Sequence, residues 1–124
     1  MRAIGLQYAD SCFHCVVLTD CGEIAARKTI RANYSELRRE FHDFEPTFIA
    51  VESASAAASM RWVVELLQRL DHAVQIAPRN EQEPDLTAER AASMAEQHAR
   101  RIRNQWKRGI AAMRAASLDT AHSA

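Results

Sequence analysis

Residues 3–30 read AIGLQYADSCFHCVVLTDCGEIAARKTI, and the alternation within them decides the fold. Residues 3–9 (AIGLQYA) alternate apolar and polar positions and read as a strand, as does CFHCVVLT at 12–19. EIAARKTI, residues 23–30, reads as a third. Asp20-Cys21-Gly22 between the last two is a turn signal, because Gly22 can take a positive φ without steric cost. The chain is therefore expected to open as an antiparallel three-stranded meander.

Outward from this stretch, the pattern changes period. Asn33 is placed to cap a helix, with Glu36 three residues on completing a capping box. Leu37, Phe41 and Phe44 then give one apolar face, and Pro46 ends the element. TFIAV at 47–51 is a continuous apolar run, the pattern of a strand buried on both faces. Ser53 or Ser55 is placed to cap a second helix striped by Met60, Val63, Val64 and Leu67. HAVQIA at 72–77 is a fifth strand stopped by Pro78, and a polar NEQEP linker leads to Pro84 at a helix start. The final helix is expected over 85–117, where Ala88, Ala92, Ala95, Ala99, Ile102, Trp106, Gly109 and Met113 repeat at spacings of four and three. That 3.5-residue period marks a coiled-coil seam, or a helix laid along its own sheet. The seam reading is preferred for the second half, where Ile102 and Trp106 call for cover. The resulting order is β-β-β-α-β-α-β-α, an α/β mixed sheet with a long C-terminal helix.

At 124 residues, with 48% hydrophobic content and three each of Gly and Pro, the chain is sized for one ordered domain; disordered and fibrous classes are excluded. The division expected is a core at 1–84, the helix at 85–117 and a flexible tail at 118–124. Neither a secretory leader nor a membrane-length apolar run occurs, so a cytoplasmic protein with no membrane partner is expected. The zero net charge conceals a division: 10 Lys/Arg against 15 Asp/Glu up to residue 98, then six against one. Those six, Arg100, Arg101, Arg103, Lys107, Arg108 and Arg114, form a basic block suited either to phosphate or simply to solvent. Cys12, Cys15 and Cys21 are an odd count in a cytosolic setting, against a disulfide framework. Cys12-Phe13-His14-Cys15 has zinc-like spacing, but residues three apart on a strand point to opposite faces, so small core hydrophobes are the expectation.

Three segments narrow the reading. Ile4-Gly5-Leu6-Gln7-Tyr8-Ala9 resembles the opening strand of DEDD-type insertion-sequence transposases and Piv-type DNA invertases, which runs Ile-Gly-Ile-Asp-Val-Ala/Ser. Phe48-Ile49-Ala50-Val51-Glu52-Ser53 resembles their buried strand ending in Glu-Ala/Ser-Thr-Gly. Val74-Gln75-Ile76-Ala77-Pro78-Arg79 resembles their Val-Asn-Pro-Arg-Gln unit. The resemblance spans roughly residues 2–90 and implies an RNase H-like, RuvC-like fold. It also implies a nuclease site in which carboxylates hold two Mg²⁺ or Mn²⁺ ions that clamp a phosphodiester. Glu52 falls on the family's Glu and Asp85 on the first helix Asp, making these two the metal-ligand candidates, while Gln7 stands where the first Asp belongs. Ala88 replaces the last Asp, and Glu89 follows one position later, about 100° round a helix. Thr-Gly after the Glu is replaced by Ala54-Ser55. The expected site, Glu52, Asp85 and Glu89, is thus degenerate, holding Mg²⁺ or Mn²⁺ weakly if any cofactor at all.

Each residue has a plainer role available: Glu52 as a strand-end charge, Asp85 as a helix-start anion, Gln7 as a polar strand residue, His14 and His98 as surface or pocket-lining groups. Trp62 is expected in the core, with partial exposure. The function expected is a transposase-related protein of DNA transposition or recombination, catalytically impaired, that binds DNA or structured RNA through the basic block. One alternative is a regulatory protein–protein or homodimerisation module with Ile102, Trp106 and Met113 at its interface. The other is a weakly active metal-dependent nuclease.

Overall fold

The computed structural model describes residues 2–45, 47–53, 61–78 and 87–122, with side chains described for all of these except 52, 53, 77, 78 and 110–122. Among the described residues eight elements follow in order: β1 (Ala3–Ala9), β2 (Cys12–Leu18), β3 (Ile24–Arg31), α1 (Tyr34–Phe41), β4 (Phe48–Ser53), α2 (Arg61–Arg69), β5 (Ala73–Pro78) and α3 (Ala88–His122). The expected β-β-β-α-β-α-β-α order and the antiparallel meander are both present. The sheet order is β3-β2-β1-β4-β5, antiparallel from β3 to β1 and parallel from β1 to β5.

The pleat sends alternate residues to two separate cores. Ile4 and Leu6 of β1, Phe13, Cys15 and Val17 of β2 and Ile49 and Val51 of β4 face one side. There they meet Leu37 and Phe41 of α1 and Val63, Leu66 and Leu67 of α2. Ala3, Val16, Leu18 and Ala50 face the other side and meet Ala95, Ala99 and Ile102 of α3. The molecule is a sheet between a helix pair and a single long helix.

Local signals account for most boundaries. Asn33 caps α1, its Oδ1 accepting from the Glu36 N–H at 2.9 Å. The capping box closes on one side only: the Glu36 carboxylate turns to Arg39, and the Asn33 N–H is donated to the Arg31 carbonyl. In α2 the inward stripe is Val63, Leu66 and Leu67, so Leu66 takes a place expected for Val64, which is half-buried. Trp62 is partly buried against the larger core, as expected. Met60, Ser55 and the linker through Pro84 and Asp85 lie outside the described residues. His72 is buried before β5; its Nε2–H donates to the Phe41 carbonyl, tying the strand to the end of α1.

Two differences from the sequence reading concern α3. It begins at Ala88 rather than 85, because the Thr87 hydroxyl accepts from the Arg90 N–H and supplies the cap. It also continues to His122, five residues beyond the expected end at 117. No helix among the described residues is long and apolar enough to cross a membrane.

Candidate functional site

The resemblance places a site where β1 and β4 run parallel beneath α3, and the register brings its first two positions together. Gly5 pairs with Ala50 and Leu6 with Val51, where the β1–β4 pairing ends; Gln7 and position 52 each follow that last pair by one residue. Ala3, Gly5 and Gln7 share the face covered by α3. Glu52 lies in β4, but its side chain is not among those described. His14, half-buried, sits directly opposite Gln7 on β2 and therefore on the same face.

α3 runs back over this face, antiparallel to β1. Trp106 packs on Phe48 at the start of β4, with ring centroids 5.9 Å apart, whereas Ala95 and Ala99 sit over Gly5. The approach at Gly5 is so close that an added Cβ would lie 1.8 Å from the Ala95 carbonyl oxygen. Only glycine fits there.

One helical turn from that contact, the side chain of Gln7 is wholly buried and fully engaged. Its Oε1 accepts from His98 Nε2–H at 2.9 Å, and its Nε2 donates to the Tyr8 carbonyl at 3.2 Å. The reverse amide orientation would set donor against donor and acceptor against acceptor. The bond fixes the His98 tautomer: Nε2 carries the proton and Nδ1 accepts from Arg101 Nη2 at 3.3 Å. Burial, reinforced by the Arg101 charge, pushes the His98 imidazole down to about 4, so it is neutral at pH 7. His98, expected as a surface or pocket-lining group, is buried and bonded. Its position gave a signal: it falls three residues after Ala95 and four before Ile102, on the apolar stripe.

Gln7 offers one neutral oxygen, already used by His98, in a place that solvent does not reach. The neighbouring inward positions of α3 are Ala91, Met94 and Ala95, none of which is a hard oxygen ligand. Glu89 is exposed on the first turn, nine residues before His98 and so about 13 Å away along the axis. Among the described residues no group of three or more His, Cys, Asp or Glu is arranged to hold a metal ion. Asp85 lies outside the described residues. Gln7 and Glu89 therefore do not fit the ligand roles that the resemblance implies.

Cys15 is the small core hydrophobe expected, whereas Cys12 is half-buried and Cys21 is exposed. β2 runs straight through Cys12-Phe13-His14-Cys15, and all three thiols are free. Burial pushes the Cys15 thiol up to about 12, leaving it protonated and unreactive.

The basic block divides into two kinds of residue. Arg103 donates from Nε and Nη2 to the Asp20 carbonyl at 3.1 and 2.8 Å, and Arg100 Nη1 donates to the Gly22 carbonyl at 3.2 Å. These two clip the β2–β3 turn, where Gly22 holds the positive φ of 87° read from the sequence. Arg100 and Arg27 also flank Glu96, at 3.3 and 2.8 Å; the Arg100 hydrogen bond, helped by that of Arg27, keeps the Glu96 carboxyl below its ordinary value. Arg101, Lys107 and Arg108 are exposed. At 100° per residue, Arg100, Arg103 and Lys107 form one row and Arg101 and Arg108 a second, both on the outward half of α3. The side chains of Arg114 and Met113 are not among those described.

The outside cover sought for Ile102 and Trp106 is supplied by the chain's own sheet. Ile102 is buried among Ala3, Val16, Leu18 and Ala50, and Trp106 leans on Phe48. The Ala stripe is a docking face for β1, not a free seam, over this part of the helix. No protein-family model matches this sequence, and no curated protein matches it either.

Proposed function

We propose that the chain is an RNase H-like domain related to the DEDD transposases that binds DNA or structured RNA without cutting it. The observation that carries the binding role is the pair of cation rows on the outward half of α3, held at a fixed angle to the sheet by the Arg100 and Arg103 clips. The exposed cations of those rows, Arg101, Lys107 and Arg108, stand on a helix fixed in place, so they offer a phosphate backbone a set spacing. The absence of cutting follows from Gln7: where the resemblance calls for a bridging carboxylate, a neutral amide is spent on His98.

A second reading, a helix-mediated partner or homodimer, draws support from the length of α3. Sixteen residues follow Trp106, about 24 Å of helix, whereas each of β1 and β2 spans seven residues. A Cβ at Gly109 would meet nothing within 4 Å.

Binding to duplex and structured RNA, titrated with salt in Mg²⁺ and Mn²⁺ and scored for cleavage, separates the two. Nucleic-acid binding is expected to weaken steeply, by about 0.9 in log–log slope per duplex phosphate neutralised, and Arg101→Gln with Lys107→Gln and Arg108→Gln should flatten that slope. No cleavage is expected. Absence of binding at low salt, with salt-insensitive self-association instead, would replace the first reading by the second.

A further inference from the structure

We propose that the outer surface of α1 is a separate contact for single-stranded nucleic acid, taking one unstacked base on Tyr34 and its flanking phosphate on Arg38 and Arg39. Tyr34 is half exposed and contributes nothing to either core. With Ser35, Arg38, Arg39 and His42 it lines a surface concavity of about 270 Å³. Tyr34 and Arg38 are four residues apart on α1, so ring and guanidinium stand side by side on one row of the helix. Both guanidiniums are solvent-facing. The side chain of Arg39 is 72% exposed and holds Glu36 at 3.1 Å, the kind of surface pair that a phosphate readily displaces. His42 forms a wall rather than a ligand, because both its ring nitrogens already face acceptors, the Arg39 carbonyl at 3.0 Å and Asp43 at 3.1 Å.

The combination selects the occupant. A π-face beside planar cations matches a base and its phosphate, whereas an acidic peptide would engage the arginines and leave the ring idle. A base within a duplex cannot reach Tyr34, so the strand must be single. α1 packs on the sheet face opposite to α3, so a duplex lying along α3 does not touch it. A strand on α1 and a duplex on α3 therefore bind independently, and either contact can be lost without the other.

Fluorescence anisotropy with a labelled oligothymidylate and a duplex of equal length, on the full chain, tests it. Tyr34→Ala should weaken single-strand binding about 5- to 100-fold with duplex binding and thermal midpoint unchanged. Tyr34→Phe should stay within about twofold, because the ring is what stacks. Arg38→Gln with Arg39→Gln should flatten the single-strand salt dependence. Removing the exposed cations of α3 should do the reverse, lowering duplex binding alone. The proposal is overturned if the oligothymidylate does not bind, if Tyr34→Ala binds it as well as the unmodified chain, or if a polyglutamate peptide displaces it through the same residues at lower concentration.

Discussion

At the scale of single residues, Gln7 and His98 show how two polar side chains can be buried between a sheet and a helix. Each satisfies the other inside a layer with no solvent, and their neutral pairing avoids a buried charge. The arrangement has a pH signature. A histidine held neutral near 4 binds fewer protons folded than unfolded, where its value is 6.5. Its contribution is therefore complete above about pH 6.5 and is lost as the pH falls through the folded value, a total of about 3 kcal/mol. His98→Gln keeps a hydrogen-bonding group that does not titrate. Urea unfolding at pH 7.5 and 4.5 should show a pH loss smaller by about 2–3 kcal/mol in that variant; equal losses in both proteins would show that His98 is not held neutral. The sequence offered the position of Gln7 but not its partner, since a glutamine 91 residues from a histidine leaves no local pattern.

At the scale of elements, turns and close approaches set the geometry. Ala9 pairs with Cys12, so the β1–β2 turn has two residues, Asp10 and Ser11, with φ of 54° and 62°. Both being positive marks a turn of the type that matches strand twist, usually built from Asn-Gly. Asp tolerates the conformation and Ser does so at a cost. Asp10→Asn with Ser11→Gly is expected to stabilise by about 1 kcal/mol, seen as a rise of roughly 4 °C in Tm. Gly5 is the opposite case. Gly5→Ala would drive a methyl into the backbone of α3 and is expected to cost about 3 kcal/mol or to release the helix, which calorimetry and the near-ultraviolet signal of Trp106 would report. These elements differ in how plainly the sequence declares them. The first three strands, punctuated by Asp20-Cys21-Gly22, and the Asn33 cap were legible because they are local. The docking of α3 was not, because an alanine stripe serves a sheet and a coiled coil equally, and Gly5, which settles the choice, lies in another element.

At the scale of the whole molecule, a mixed sheet was legible from element order, and strand register sets Gly5 and Leu6 beside Ala50 and Val51. What the basic block does was only half legible. Six clustered cations announce a charged helix, but the acceptors of Arg100 and Arg103 are turn carbonyls some 80 residues away, and carbonyls carry no sequence signal. The two faces of the sheet are also completed at different times. The core beneath α1 and α2 uses residues up to 74, whereas the opposite face waits for α3. At about 5–20 residues per second, a ribosome takes a few seconds to pass from β5 to Trp106. For that interval Ala3, Val16, Leu18 and Ala50 form a bare apolar surface on a half-finished sheet, open to chaperones and to other nascent chains. Emergence of residues 95–106, which seat on that face over Gly5, would end the exposure.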